Sequence, residues 1–363
     1  MKRDHALDAC KGLLIILIGF LYAAEVFSRS ALPPSYWNHN AISFETIPLY
    51  FLWLIGQELA PGGFYLLMGY CLGLTVDRKK HDGISSPKIT KHLIYSSLWI
   101  LPWAISSFCW LIPTGKTDPA PLIEKPFFFY WVIFFSLATS RIITALVRKF
   151  PVWKLFMITA FLLIISSTVH LYPGVFTQFH PWWSHILYLP GGSNYVLGHF
   201  TLIPWVGFAI AGLGFYKLIH HKTYRPTEKM LFLFSLLVLF FLFKSLDILL
   251  DPKQTFSLES YGWVCKFPPG IPFFILSVLF SSIYYMIFSW LLSFSEKFLS
   301  FFEIVGNHSI SCYAITIAFV QLTDYGIFKR FINPLSISLS LIVMIAFYAL
   351  LALFFVSRDR AKK

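Results

Sequence analysis

Charge is scarce in this chain. Only 13% of its 363 residues are Asp, Glu, Lys or Arg, where a soluble domain carries about 25%. Hydrophobic residues make up 57%, and Phe alone occurs 40 times. So few charges cannot coat a water-facing surface, and a soluble core cannot hide so many apolar side chains. A water-soluble globular protein is excluded. Cysteine is confined to Cys10, Cys71, Cys109, Cys265 and Cys312, with no C-x-x-C pair and no His at zinc spacing. That set demands neither a disulfide framework nor a metal site. Internal repeats, low-complexity tracts and soluble-domain stretches are missing too. The expectation is a single integral membrane domain over residues 1–363.

Acid is scarcer than base, with 17 Asp and Glu against 29 Lys and Arg. The excess does not point to nucleic acid, because the cations gather in short loops on alternate sides of the apolar segments. With a cytoplasmic N-terminus, one side holds Lys2, Arg3, Lys11, the run Arg78, Lys79, Lys80, then Lys88, Lys91, Arg148, Lys149, Lys154, Lys217, Lys222, Arg225, Lys229 and Lys297. The tail Arg358, Arg360, Lys362, Lys363 joins them. The other side holds Arg29, Lys116, Lys125, Lys253, Lys266, Lys329 and Arg330. This is the positive-inside pattern. It predicts both termini in the cytoplasm, an even number of crossings, a lipid bilayer as partner and no nucleic acid. A retained first helix is favoured over a cleaved signal peptide, since Tyr22-Ala23-Ala24-Glu25 is a poor cleavage site. The design suits a multi-pass protein of a bacterial inner membrane.

At about 20 apolar residues per crossing, the chain offers about ten spans: 11–28, 46–76, 91–112, 127–147, 153–171, 200–219, 230–250, 270–293, 304–323 and 335–356. The expected fold class is therefore all-α, a polytopic membrane helical bundle. The second segment is too long for one straight helix. It carries Gln57 and Glu58 beside Pro61-Gly62-Gly63. A break of that kind, with a carboxylate in it, survives in a bilayer only where protein or a wet cavity surrounds it. The loop from Pro173 to Tyr195 is long and rich in Trp, His, Pro and Gly. It is too aromatic for disorder and is expected to fold over the outer mouth of the bundle. The pairs Gly69/Gly73 and Gly207/Ala211, each four apart, read as helix-packing devices.

Further residues could carry chemistry. Asp8 and Lys11 sit three apart at the start of the first span, followed by Gly12, which would admit a second backbone. This reads either as a snorkelling lysine with its helical partner or as a contact for a phosphate. Arg141 lies inside the fourth span, where a cation needs a partner. Glu58 could orient a base or act as one with a raised pKa. His39, in Tyr36-Trp37-Asn38-His39-Asn40, precedes the broken segment, and imidazole suits proton transfer near neutral pH. Lys244 and Asp247 lie one turn apart and read as mutual partners.

In order along the chain come five motifs: Leu7-Asp8-x-x-Lys11-Gly12; Ala60-Pro61-Gly62-Gly63 through Gly69-Tyr70; Leu189-Pro190-Gly191-Gly192 with Leu202-Ile203-Pro204-Trp205-Val206-Gly207; Lys266-Phe267-Pro268-Pro269; and Val305-Gly306-Asn307-His308 through Tyr313. Together they resemble the polytopic membrane acyltransferases, namely the relatives of heparan-alpha-glucosaminide N-acetyltransferase and the acyltransferase-three group. The resemblance implies transfer of an acyl group, such as acetyl, from cytosolic acyl-CoA to a hydroxyl or amine of a glycan or small-molecule acceptor at the outer face. It implies His39 and Glu58 as catalytic groups, Lys11 and Arg141 as contacts for the acyl-CoA co-substrate, and Gln57, Tyr22 and Trp205 as substrate contacts. The chain departs from the family in four places. Lys11 stands for the usual Arg, and Tyr22, Gln57 and Thr316 stand where histidines are common. Two other readings remain open, a transporter or flippase for a small or lipid-linked substrate and a non-catalytic family member. The sequence also leaves homo-oligomerisation open.

Overall fold

A computed structural model describes residues 4–27, 60–104, 129–131, 133–172, 181–188, 191–192, 196–198, 201–220, 226–250, 270–292, 296–324 and 337–361. The helices are α1 (His5–Phe27), α2 (Ala60–His81), α3 (Ser86–Leu98), α4 (Ile133–Val147), α5 (Val152–Leu171), α6 (Pro181–Leu187), α7 (Leu202–His220), α8 (Pro226–Leu250), α9 (Ile271–Leu292), α10 (Glu296–Asn307), α11 (Ser309–Asp324) and α12 (Ile337–Ala361). Three short strands join them: β1 (Phe129–Trp131), β2 (Gly191–Gly192) and β3 (Val196–Gly198).

Four described helices contain stretches long and apolar enough to cross a membrane: Val152–Val169, Leu202–His220, Ile271–Leu292 and Ile342–Arg360. Lipid tails are as apolar as Leu, so close packing rather than the hydrophobic effect must join such helices. Glycines supply it. A Cβ on Gly69 of α2 would overlap the Ala209 carbonyl of α7, and one on Gly212 would overlap the Leu66 carbonyl. The two backbones therefore touch. Gly73 in turn lies against the Tyr216 ring. Gly207, by contrast, faces Leu162 of α5 at ordinary contact distance, and its carbonyl accepts from Thr159 Oγ1 at 3.2 Å. Helix α7 thus sits between α2, α4 and α5 and is the most enclosed of the four apolar helices. Helix α1 packs on α9, α10, α11, α12 and α2.

Local signals set the helix ends. Pro61 sits in the first turn of α2, where no intrahelical N–H is lost. Gly83 closes α2 in the left-handed region, φ 73°. Its N–H donates to the Lys80 carbonyl and the Ile84 N–H to the Lys79 carbonyl, both at 3.0 Å, the paired bonds of a Schellman stop.

One expected span needs correction: the segment 304–323 is not one helix, because α10 and α11 meet at a turn at His308. Of the segment 91–112, α3 covers only the part to Leu98, and residues 105–112 lie outside the described residues. The described residues are mostly helical, as the all-α expectation has it, with one small sheet in the order β1-β3-β2, where β1 is parallel and β2 antiparallel to β3. Two of its strands come from the aromatic loop region. Nearby, Tyr188 and Val169 pack with Leu187 and Ile203 against the ends of α5 and α7.

Candidate functional site

The first turns of α1 carry the charges predicted to meet a donor. Lys11 Nζ lies 2.6 Å from Asp8 Oδ1, and both side chains are mostly buried. Asp4 has two roles. Its Oδ1 accepts the Leu7 N–H at 3.0 Å, satisfying an otherwise bare helix-start donor. Its Oδ2 accepts the Tyr285 hydroxyl of α9 at 3.1 Å. His5 Nδ1 contacts Glu303 Oε2 of α10 at 2.8 Å. Helix α1 can lie this close to α10 because Gly12 and Gly306 face each other there.

Arg141 of α4 approaches the same region from another side. The Cys71 thiol of α2 lies within electrostatic reach of Lys11, Asp8, Arg141 and Asp4. The two cations singled out in the sequence therefore both act electrostatically on the Cys71 thiol. Arg141 Nη2 donates to Ser96 Oγ at 3.2 Å. Among the described residues, no carboxylate lies within ion-pairing distance of it. A guanidinium offers five donors in a fixed plane, so an anion with several oxygens could be held there.

A second polar level lies further along the same helices. Tyr65 of α2 is six residues from Cys71, about 9 Å along the axis. Its hydroxyl faces Ser136 of α4, yet neither oxygen closes a hydrogen bond with a described residue. The Ser140 and Ser277 hydroxyls are also buried without such a partner. Ser136, Ser140 and Thr144 recur at helical spacing on α4, each at 0% exposure. Buried hydroxyls without partners are costly. Ser136 and Ser140 make one face of α4 polar, and Ser277 of α9 lies against Gly62 of α2.

Trp205 lies in the core beside that level, with its ring centroid 5.0 Å from Tyr65, 5.4 Å from Phe208 and 5.9 Å from Phe273. Lys244 is likewise buried, at 2% exposure. His39, Gln57 and Glu58 lie outside the described residues, and so do the side chains of Tyr22 and Asp247. The structure therefore pairs Lys11 with Asp8, sets Arg141 on Ser96 and seats Trp205 in the core.

Two positions stand out that the sequence did not flag as built. Thr316 is fully buried. Its Oγ1 donates to the Cys312 carbonyl at 2.7 Å and lies 3.1 Å from the Tyr348 hydroxyl. Tyr348 donates to the Ile15 carbonyl at 2.9 Å. These bonds tie α1, α11 and α12 together. His308 contacts Arg358 Nη2 through Nδ1 at 3.1 Å and Asp359 Oδ2 through Nε2 at 3.0 Å. A guanidinium only donates and a carboxylate only accepts. Nδ1 must therefore accept, and Nε2 carries the proton. No spacing rule signals either arrangement, since the partners lie 32 to 51 residues away.

Compared with known proteins, the chain matches no family model and no curated protein.

Proposed function

We propose that this protein is an acyltransferase-like membrane enzyme that takes an acyl group from cytosolic acyl-CoA. The acceptor is a hydroxyl or amine of a glycan or small molecule at the opposite face. The observation that carries the reading is that Lys11 of α1 and Arg141 of α4 both lie within electrostatic reach of the Cys71 thiol. Together they form a cationic receptor for the donor's phosphates. Lys11 supplies a point charge and Arg141 a planar fork. In the reaction, His39 with Glu58 removes the acceptor's proton. The new C–O or C–N bond forms at the acyl carbonyl, the thioester C–S bond breaks, and CoA leaves as the thiol. The ordered motifs support the reading, and so does the polar pair Tyr65 and Ser136, the second of which shares α4 with Arg141. We further propose an even number of crossings with both termini cytoplasmic, on the strength of the charge distribution.

The test is thermal unfolding of the detergent-solubilised protein with acetyl-CoA and longer acyl-CoAs. Ligand at about one hundred times its Kd stabilises the native state by about 2.7 kcal/mol. The expected result is a raised Tm that is lost in Lys11→Ala and in Arg141→Gln. No shift with any acyl-CoA, in a folded sample, sinks the proposal. The unpartnered hydroxyls of Ser140 and Ser277 favour a second reading, a transporter or flippase whose substrate path runs through this polar interior. Transport into vesicles without acyl-CoA binding selects it.

A further inference from the structure

An open groove of about 750 Å³ lies between α3 and the turn after α4. Ser86, Thr90, Lys91 and Lys149 make its polar wall, and Ile94, Tyr95 and Leu98 its apolar one. No acid lines it. Behind Ser86 sits Arg148, only 7% exposed. Its guanidinium donates to the Ser86 carbonyl at 3.0 Å, to Ser86 Oγ at 2.9 Å and to the Ala145 carbonyl at 3.1 Å. Among the described residues, no carboxylate pairs with it. Burial pulls its pKa below the ordinary guanidinium value, the mark of a buried charge that lacks a counter-ion. Lys217 lies under the same turn, donating to the Arg148 and Phe150 carbonyls at 2.6 and 2.7 Å. The polar wall thus carries two lysines, with Arg148 behind Ser86 and Lys217 beneath the turn.

The apolar wall continues past the groove. Leu98, Trp99 and Trp103 are 42%, 75% and 36% exposed. Exposed indoles beside lysines are what a helix shows at the headgroup level of a bilayer. A soluble phosphate compound would satisfy the lysines and leave this aromatic strip wet. A ligand with both a phosphate and a hydrocarbon chain covers both parts.

We propose that this groove binds an anionic phospholipid, its phosphate between Lys91 and Lys149 and its acyl chain along Ile94 and Leu98. The site rests on the membrane character of the protein and is independent of acyl transfer.

Native mass spectrometry of the full chain released from detergent tests it. The protein is titrated with phosphatidylglycerol, with phosphatidylcholine of the same chains, and with glycerophosphoglycerol, the headgroup alone. Phosphatidylglycerol is expected to bind more tightly than phosphatidylcholine. K91Q/K149Q should weaken phosphatidylglycerol roughly thirty-fold, from the attraction of two lysines at a lipid surface, and leave phosphatidylcholine unchanged. Both lysines are exposed, so the variant is expected to keep the parent's Tm, and K91R/K149R should retain binding. Equal affinity for the two lipids, or no loss in K91Q/K149Q, overturns the site. Glycerophosphoglycerol binding as tightly as the lipid overturns the lipid in favour of a soluble phosphate. Release of the protein from membranes by a carbonate wash would instead sink the membrane reading itself.

Discussion

Gly12 of α1 and Gly306 of α10 face each other across a backbone-to-backbone crossing. A Cβ on Gly12 would fall on the Phe302 carbonyl and 3.1 Å from the Gly306 nitrogen, and a Cβ on Gly306 would fall on the Asp8 carbonyl. Two motifs nearly 300 residues apart are thus one structural device, and the Asp8–Lys11 pair stands on it. Gly12→Ala and Gly306→Ala should each destabilise the protein by about 1–3 kcal/mol, the usual cost of overpacking. One separation of the helices relieves both clashes, so the double variant should cost less than the sum. Thermal unfolding of the four proteins decides. Parental Tm in either single variant would refute the close crossing.

Arg141 separates binding from stability. A half-buried cation with no carboxylate partner among the described residues burdens the fold, so an apolar side chain of similar length should be tolerated or even stabilising. Arg141→Met is therefore expected to keep or raise the Tm while abolishing stabilisation by acyl-CoA. A fall in Tm with the ligand response intact would show that Arg141 is structural.

Thr316 is expected to be structural. Thr316→Val keeps the shape but loses the bond to Cys312 and the contact with Tyr348, at about 1 kcal/mol. It should leave any acyl-CoA response unchanged. Thr316→His forces a larger ring into a site of 0% exposure and should cost more. A gain of transfer activity in Thr316→His would contradict the closed packing.

The His308 ring should be the neutral Nε2–H tautomer, stacked on Phe355 at 4.1 Å. Nitrogen-15 NMR of histidine-labelled protein distinguishes the tautomers by their ring shifts. An Nδ1–H signal would mean that Arg358 does not donate to this ring.

How much of this was legible in the sequence follows from the physics of each signal. The stretches 153–171, 200–219 and 270–293 match α5, α7 and α9 within two residues, because a long uncharged run has one stable form in lipid. The Gly306-Asn307-His308 turn stayed hidden inside an apolar run. Hydropathy does not register a helix break whose flanks are both apolar. The glycine partners were half visible. Gly69 announced a close approach, but Gly212 rather than Gly207 receives it, since which residue faces a neighbour depends on helix rotation. The sheet was not legible at all. Its strands are only two or three residues long, and pairing β1 with β3 needs contacts about 67 residues apart. At the site, Lys11 and Arg141 were readable because charge inside an apolar segment is conspicuous. The fully buried hydroxyls of Tyr65 and Ser136 were not, since small polar residues are common in packed membrane helices.

The company kept by α1 sets an order of assembly. Four of the helices it packs against, α9, α10, α11 and α12, lie in the last quarter of the chain. During synthesis at about 5–20 residues per second, α1 waits roughly ten to fifty seconds for the first of them. Through that wait it must reside in lipid or beside the insertion machinery with a carboxylate and an ammonium in its first turns. The Asp8–Lys11 pair is what makes the wait tolerable. Each side chain neutralises the other within the helix itself, before the four C-terminal partners exist. A variant that removes only one of them should therefore be lost during biogenesis rather than afterwards, appearing as low yield of inserted protein instead of a low Tm.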